Sequence, residues 1–317
     1  MDRTTAERLR GDVDALCGAP RHRSRPEHLV ASREHCRTAL ESAGWRCELD
    51  EFTVAGRPRW ADRGRGTHPL SLTWLRGRGV NLVASRAPIR AGATWLIAHL
   101  DSVAISPGAD DNASGVAVAL EVARRLPADA DDVVIAIVDL EELAQLGSRA
   151  LLARWPRPGA VVCLEAVGFF ASAPGTQRLP TGASLVFADL PAQIKARQDR
   201  ADFVLAVHRP RAHDLLTRWL DAAQTVGLPA LALLDRRADG AAQALTRWAN
   251  PLAFDLDRSD HAPYWRARIP ALMLTDTAPF RNPNYHSASD TPQTLNYPQM
   301  AQVAAAAALL LTASRLP

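Results

Sequence analysis

The segments His99-Leu-Asp-Ser102 and Pro107-Gly-Ala-Asp-Asp-Asn-Ala-Ser-Gly115 set an imidazole and a pair of carboxylates just ahead of a helix start. Three later fragments add the same kinds of donor: Asp139-Leu-Glu-Glu142, Leu164-Glu-Ala-Val-Gly168 and Tyr285-His-Ser-Ala-Ser-Asp-Thr-Pro292. Imidazole nitrogen and carboxylate oxygen are zinc donors, and a catalytic zinc keeps one position open to water. Two histidines with three carboxylates suit two zinc ions per chain that share one carboxylate. The expected arrangement has His99 and Glu165 on one ion, Glu142 and His286 on the other, and Asp111 bridging both. A hydroxide between the ions would be the nucleophile, since metal binding lowers the pKa of water from about 15.7 towards about 7.

Neighbouring acids complete this reading. Asp101, two residues past His99, suits a carboxylate that accepts the imidazole's other N–H and fixes its tautomer. Glu141 and Glu142 follow an apolar run, and adjacent side chains at a strand end point apart. One then binds metal and the other works as base: Glu142 is assigned as ligand and Glu141 as the group that takes a proton from the water and passes it to the leaving amine. Each fragment alone has an ordinary explanation as a turn, a helix cap or a surface hydrogen bond. Glu165 resists that treatment, because a carboxylate directly after Val161-Val-Cys-Leu164 is expensive to bury without a partner.

The elements that must position these residues alternate along the chain. Thr94–Ala98, Val133–Val138, Ala160–Leu164, Phe203–Val207, Leu228–Leu233 and Ile269–Leu274 read as short apolar strands. Helices are expected over Glu27–Gly44, Ser114–Leu126, Gly147–Trp155, Ala212–Gln224 and Met300–Leu316, the last as a packed terminal helix. Continuous apolar strands separated by helices imply an α/β fold: a single domain with a mostly parallel mixed central sheet flanked by helices. Residues 1–80 are expected to give an N-terminal helix and a peripheral region, with a surface hairpin or loop over Gly56–Gly79, and residues 81–317 the catalytic core. In this layout His99, Glu141, Glu142, Glu165 and His286 all follow strands, at the carboxyl edge where open α/β sheets bind ligands.

Composition narrows the function classes. Apolar residues make up 47% and charged residues 22% of 317, enough to bury a sizeable core. A formal charge of +3 with mixed signs gives no argument for nucleic acid, and the near-exclusive use of arginine, with Lys195 the one lysine, reads as codon usage. Cys17, Cys36, Cys47 and Cys163 form no Cys-x-x-Cys and are expected as free thiols, with a Cys36–Cys47 bridge as the alternative. The charged N-terminus does not read as a signal peptide, and no segment reads as a membrane span, so a cytoplasmic location is expected unless a leader was removed.

From about Asn81 to Leu295 these motifs resemble the co-catalytic di-zinc exopeptidases of zinc peptidase family M28, which contains bacterial aminopeptidases, glutamate carboxypeptidases and glutaminyl cyclases. The resemblance implies a zinc-exopeptidase fold, Asp111 as the bridging ligand with Asp110 in a variable slot, Glu141 as base, and Glu142, Glu165 and His286 as ligands. It further implies that Tyr285 helps to hold a tetrahedral intermediate. Where the family often has Gly and Leu after its glutamate pair, this chain has Ala144-Gln-Leu146, read as a helix variation. Ser259-Asp-His-Ala-Pro263 resembles a segment lining the site, which makes Asp260 and His261 supporting or substrate-facing candidates.

The expected activity is that of an aminopeptidase acting on peptides with a free N-terminus. Its rivals are a one-zinc glutaminyl cyclase, a carboxypeptidase using Arg281 to grip a substrate carboxylate, and a non-catalytic binding domain. Phe169, Phe170, Tyr264 and Phe280 are candidate walls for a hydrophobic N-terminal side chain. Serine hydrolase chemistry lacks its Gly-x-Ser-x-Gly elbow.

Overall fold

Apolar residues in the strand Val133–Val138 sort alternately onto two faces, as the two-residue repeat of an extended chain requires. Val133, Ile135 and Ile137 enter one core and Val134, Ala136 and Val138 the other, none more than 1% exposed. The neighbouring strand does the same, with Leu96 and Ala98 on one side and Trp95 and Ile97 on the other. A sheet buried on both faces needs cover on both, and helices supply it.

The computed structural model describes residues 3–61, 71–183, 187, 189–240 and 256–313. Its strands are β1 (Arg46–Ala61), β2 (Ser71–Ser85), β3 (Thr94–His99), β4 (Val133–Val138), β5 (Ala160–Glu165), β6 (Val204–His208), β7 (Ala230–Leu234) and β8 (Ala271–Thr275). They form one 8-stranded sheet in the order β1-β2-β4-β3-β5-β8-β6-β7. The central run β4-β3-β5-β8 is parallel throughout. β2 joins β4 and β6 joins β8 antiparallel, so the sheet is mixed. Because β4, β3, β5 and β8 are adjacent and run the same way, their carboxyl ends share one edge.

One face carries α1 (Arg3–Leu16), α2 (Pro26–Ser42), α3 (Gly115–Arg125) and the helices His213–Thr225 and Tyr297–Ala313. The other carries α4 (Leu146–Arg154) with the short helices Leu190–Ala196 and Ala262–Arg266. Val116 to Leu120 of α3 are buried on every side, as expected of a helix enclosed between a sheet and other helices. Glu121 of α3 is fully buried as well, and Arg8 of α1 holds it at 2.7 Å.

The architecture agrees with the sequence reading, no element boundary among the described residues shifting by more than three residues. α1 was not anticipated, although Leu9, Val13 and Leu16 recur at helical spacing and bury completely. The first 80 residues supply two helices and the antiparallel pair at the sheet edge, more than the one helix expected. Part of the Gly56–Gly79 connection is paired strand, while residues 62–70 lie outside the described residues, as do 314–316 of the expected terminal helix. The four cysteines are free thiols, so no Cys36–Cys47 bridge forms. Among the described residues no helix is long and apolar enough to cross a membrane.

Removing methylenes from the middle of this sheet leaves a cavity that its tightly covered faces close only in part. Ile135→Ala, at a fully buried position of β4, is expected to cost about 2–5 kcal/mol in urea unfolding. Val30→Ala, at a position 60% exposed on α2, should stay within about 0.5 kcal/mol.

Candidate metal centre

The shared carboxyl edge brings together donors that are far apart in sequence. His99 ends β3, Glu165 ends β5, Glu142 lies in the turn after β4, and His286 lies beyond β8. Two trios result, His99–Asp111–Glu165 and Asp111–Glu142–His286, with the donor atoms of each within 4.8 Å of one another. Asp111 belongs to both: its Oδ1 lies 3.1 Å from His99 Nε2 and its Oδ2 2.9 Å from His286 Nε2. Glu165 Oε2 stands 3.4 Å from His99 Nε2, and Glu142 Oε1 3.5 Å from His286 Nε2.

Three of these atoms, His99 Nε2, Asp111 Oδ1 and Glu142 Oε1, are buried and make no hydrogen bond. Buried polar atoms are ordinarily satisfied, so an orphaned set needs an explanation. Lone pairs that converge on a common point, and not on each other, are what a cation requires of its ligands. Nitrogen and oxygen donors in trios, each leaving a coordination position free, fit zinc.

Main-chain amides hold the acids in place. After β4 the chain turns sharply, with Leu140, Ala144 and Gln145 at left-handed φ of 58°, 66° and 55°. Asp101 Oδ1 and Oδ2 accept the amide N–H groups of Glu141 at 3.0 Å and Glu142 at 3.2 Å. Asp290 does the same for Asp110 at 2.9 Å and Asp111 at 3.2 Å. Asn112 Oδ1 accepts the Ala166 amide at 3.1 Å while its Nδ2 donates to Leu164 O at 2.8 Å, tying the Asp111 segment to both sides of Glu165. Ser259 donates to Glu165 Oε2 at 2.5 Å. Asp110, fully buried, accepts the Gly168 amide and Asn282 Nδ2, which ties it into the structure around the site.

Electrostatics reflect this crowding. Burial disfavours charge on both histidines, yet the surrounding carboxylates overcome it, pushing His99 well above its ordinary range and His286 up to about 10. Asp111 is driven the other way: burial opposes its charge, but the two imidazoles win and hold its carboxyl well below the usual range. Burial, reinforced by Glu165, Asp260 and Glu142, raises Glu141 well above the ordinary glutamate value.

Several sequence expectations change. The acceptor for His99 Nδ1 is the Asp101 main-chain carbonyl at 3.0 Å, whereas the Asp101 carboxylate is 3.7 Å away and committed to the Glu141 and Glu142 amides. Glu141 and Glu142 diverge because of the turn that follows β4, not because a strand alternates. The Ala144-Gln-Leu146 stretch is no helix variation either, since α4 begins only at Leu146. Arg281 is buried, donates to Gln177 Oε1 at 2.8 Å and Phe203 O at 2.9 Å, and stacks on Phe203, so it anchors the chain and does not face a substrate. His261 bonds Leu256 O at 2.8 Å and sits edge-on to Trp265, which is a packing role. Asp260, fully buried, takes Ser148 Oγ at 2.6 Å, and its carboxyl is raised to about 7 by burial. Phe170 and Tyr264 belong to the cores, leaving the half-buried Phe169 and Phe280 as the remaining wall candidates.

Tyr285 stacks on His286 with ring centroids 3.9 Å apart, and its hydroxyl accepts from Arg258 at 3.4 Å. Burial raises its phenol well above the ordinary value, which keeps the O–H available as a donor. The sequence reading gives no individual role at the site to Asp290, Asn112 or Ser259. Their types, in segments already singled out, are the kind that bond main-chain amides and ligands.

A model of peptidase family M28 matches residues 81–209 and 214–311. YfbL, an uncharacterized protein of Escherichia coli (strain K12), is 31% identical over 300 residues, covering 90% of this chain and 80% of YfbL. The zinc aminopeptidase BSAP from Bacillus subtilis superposes with a TM-score of 0.66 at 14% identity, over 98% of this chain and 95% of that one. Glutaminyl cyclase from Porphyromonas gingivalis superposes with a TM-score of 0.62 at 17% identity, over 98% of each chain. At such identities the two solved structures establish the fold alone. The family match spans the five segments that supply the two trios, and with the YfbL relationship over nearly the whole length it identifies this chain as a member of peptidase family M28.

Proposed function

We propose that this chain is an aminopeptidase with two zinc ions, held by His99, Asp111 and Glu165 and by Asp111, Glu142 and His286. The observation that carries the reading is the shared carboxylate: Asp111 turns one oxygen to each histidine, 3.1 and 2.9 Å away, in a buried setting with unbonded donor atoms. Metal bound there would polarise the scissile carbonyl and make water acidic enough to ionise near neutral pH.

The chain's own residues supply the rest. Glu141, next to ligand Glu142 and 7% exposed, takes a proton from the attacking water and delivers it to the departing amine. Tyr285, protonated and beside His286, donates a hydrogen bond to the oxygen of the tetrahedral intermediate. Surplus carboxylate charge attracts the substrate's free α-ammonium group, which limits cleavage to the first residue. The carboxypeptidase alternative loses its anchor, because Arg281 is spent on Gln177 and main-chain carbonyls.

Two outcomes test the reading. Amino-acid anilides should be hydrolysed, with loss of activity on chelation and no turnover of N-acetylated analogues. Glu141→Gln should lower kcat by about 10²–10⁴-fold while zinc stoichiometry stays at two. Full turnover by that variant, or release of a cyclised glutaminyl product by a one-zinc enzyme, would remove it. Proton release gives an independent check, since ligand histidines must be neutral. With His286 titrating at about 10 and His99 also raised, both imidazoles carry protons at pH 7 before metal binds. Calorimetry in buffers of different ionisation enthalpy should therefore show about one proton released per ion, with affinity rising as pH rises. Binding without proton release would contradict the histidine assignments.

A further inference from the structure

Arg21 lies between α1 and α2, in the region that the family model does not match, and its side chain is fully buried. Its guanidinium bonds main-chain carbonyls: Nε donates to Leu100 O at 2.6 Å, Nη1 to Pro107 O at 2.6 Å and Leu16 O at 3.2 Å, and Nη2 to Gly108 O at 2.8 Å. Its own main chain pairs with Ser102, the Arg21 N–H donating to Ser102 Oγ and the Ser102 N–H to Arg21 O, each at 3.0 Å. Ser102 Oγ donates onward to Ser106 O at 3.0 Å.

The placement of these bonds is informative. Leu100 directly follows His99, and Gly108 stands just before the Asp110-Asp111 pair. Between them lies Asp101, whose carbonyl meets His99 Nδ1 and whose carboxylate holds the amides of Glu141 and Glu142. Gly108 has a φ of 65°, and a Cβ there would fall 2.9 Å from Arg21 Nη2 and 2.3 Å from the Asp111 carbonyl. Arg21, Gly108 and Asp111 are therefore in direct mechanical contact.

We propose that Arg21 is a positioning residue for the metal centre, fixing the chain between His99 and Asp111 so that both present their donor atoms before any ion arrives. The inference rests on the metal reading above. An arginine suits the task because its planar fork donates on several sides at once, whereas a lysine ammonium places three donors on one atom. Preorganisation of this kind shows as affinity: losing an outer partner of a ligand typically costs about 10–100-fold in metal binding. The His99–Asp111–Glu165 position should suffer most, since two of its ligands flank the clamped segment, whereas the other ion takes Asp111 directly and Glu142 only through the Asp101 carboxylate.

Cobalt(II) titration of the metal-free full chain, read by visible absorption and chelator competition, tests this. Wild type should bind two ions. Arg21→Lys, with unchanged circular dichroism, should weaken one step by about 10–100-fold, and Ser102→Ala should weaken the same step by a smaller factor. Arg124→Met, which breaks the 2.7 Å pair with Asp12 between α3 and α1, should lower the thermal midpoint and leave both steps unchanged. Unaltered cobalt affinities in Arg21→Lys, or the same loss in Arg124→Met, overturn the proposal. Should Arg21→Lys fail to fold, Ser102→Ala decides, and unchanged affinity in it is the negative result. A wild-type chain that takes up no cobalt removes the metal reading and the proposal together. Two unperturbed ions in every variant remove the proposal alone.

Discussion

Concentrated negative charge at one buried edge of the sheet is the constraint around which this molecule is organised. Asp101, Asp111, Glu141 and Asp260 are each no more than 7% exposed, and Glu142 and Glu165 retain side-chain exposures of 13% and 18%. Ionised carboxylates in such surroundings demand positive charge close by or they take up protons. The nearest counterweights in the two trios are the imidazoles of His99 and His286, and their raised pKa values reflect that demand. A pair of divalent cations would satisfy the same demand more completely and displace the imidazole protons. The site is thus a charged cage whose proposed ligands and base share one electrostatic problem.

Strand polarity delivers the candidate ligands, and loop hydrogen bonding aims them. Four adjacent parallel strands bring distant segments to one edge. The aiming falls to side chains that grip main-chain amides in pairs: Asp101 on Glu141 and Glu142, Asp290 on Asp110 and Asp111. Asn112 and Ser259 brace Glu165, and Arg21 spans the loop between His99 and Asp111. A carboxylate that accepts two amides spends its charge on orienting a neighbour, which leaves the neighbour's own oxygens free.

Much of this was legible in the sequence because the signals are local. Val133–Val138 declares a twice-buried strand by its unbroken apolar run, and the structure returns the same bounds. The donors His99, Glu142, Glu165 and His286 could be grouped because each follows a strand whose direction the βα alternation implies, and Asp111 because it stands just ahead of a helix start close behind His99. What escaped depends on contacts between segments remote in the chain. Whether Asp101 offers its carboxylate or its carbonyl to His99 is decided by where the Glu141 turn falls. Arg21 could not be distinguished from the other arginines, since only its buried carbonyl partners give it a role. Arg281 faced inward for the same kind of reason, its fork matching Gln177 and the Phe203 carbonyl.

In the proposed centre five side chains form one cage for two cations joined through Asp111. Anomalous X-ray diffraction at the zinc edge, on crystals grown with zinc, reads its geometry. Two peaks about 3.5–4 Å apart are expected, one contacted by His99 and Glu165, the other by Glu142 and His286, with an oxygen of Asp111 on each. A single peak, or two peaks that do not share Asp111, would contradict it.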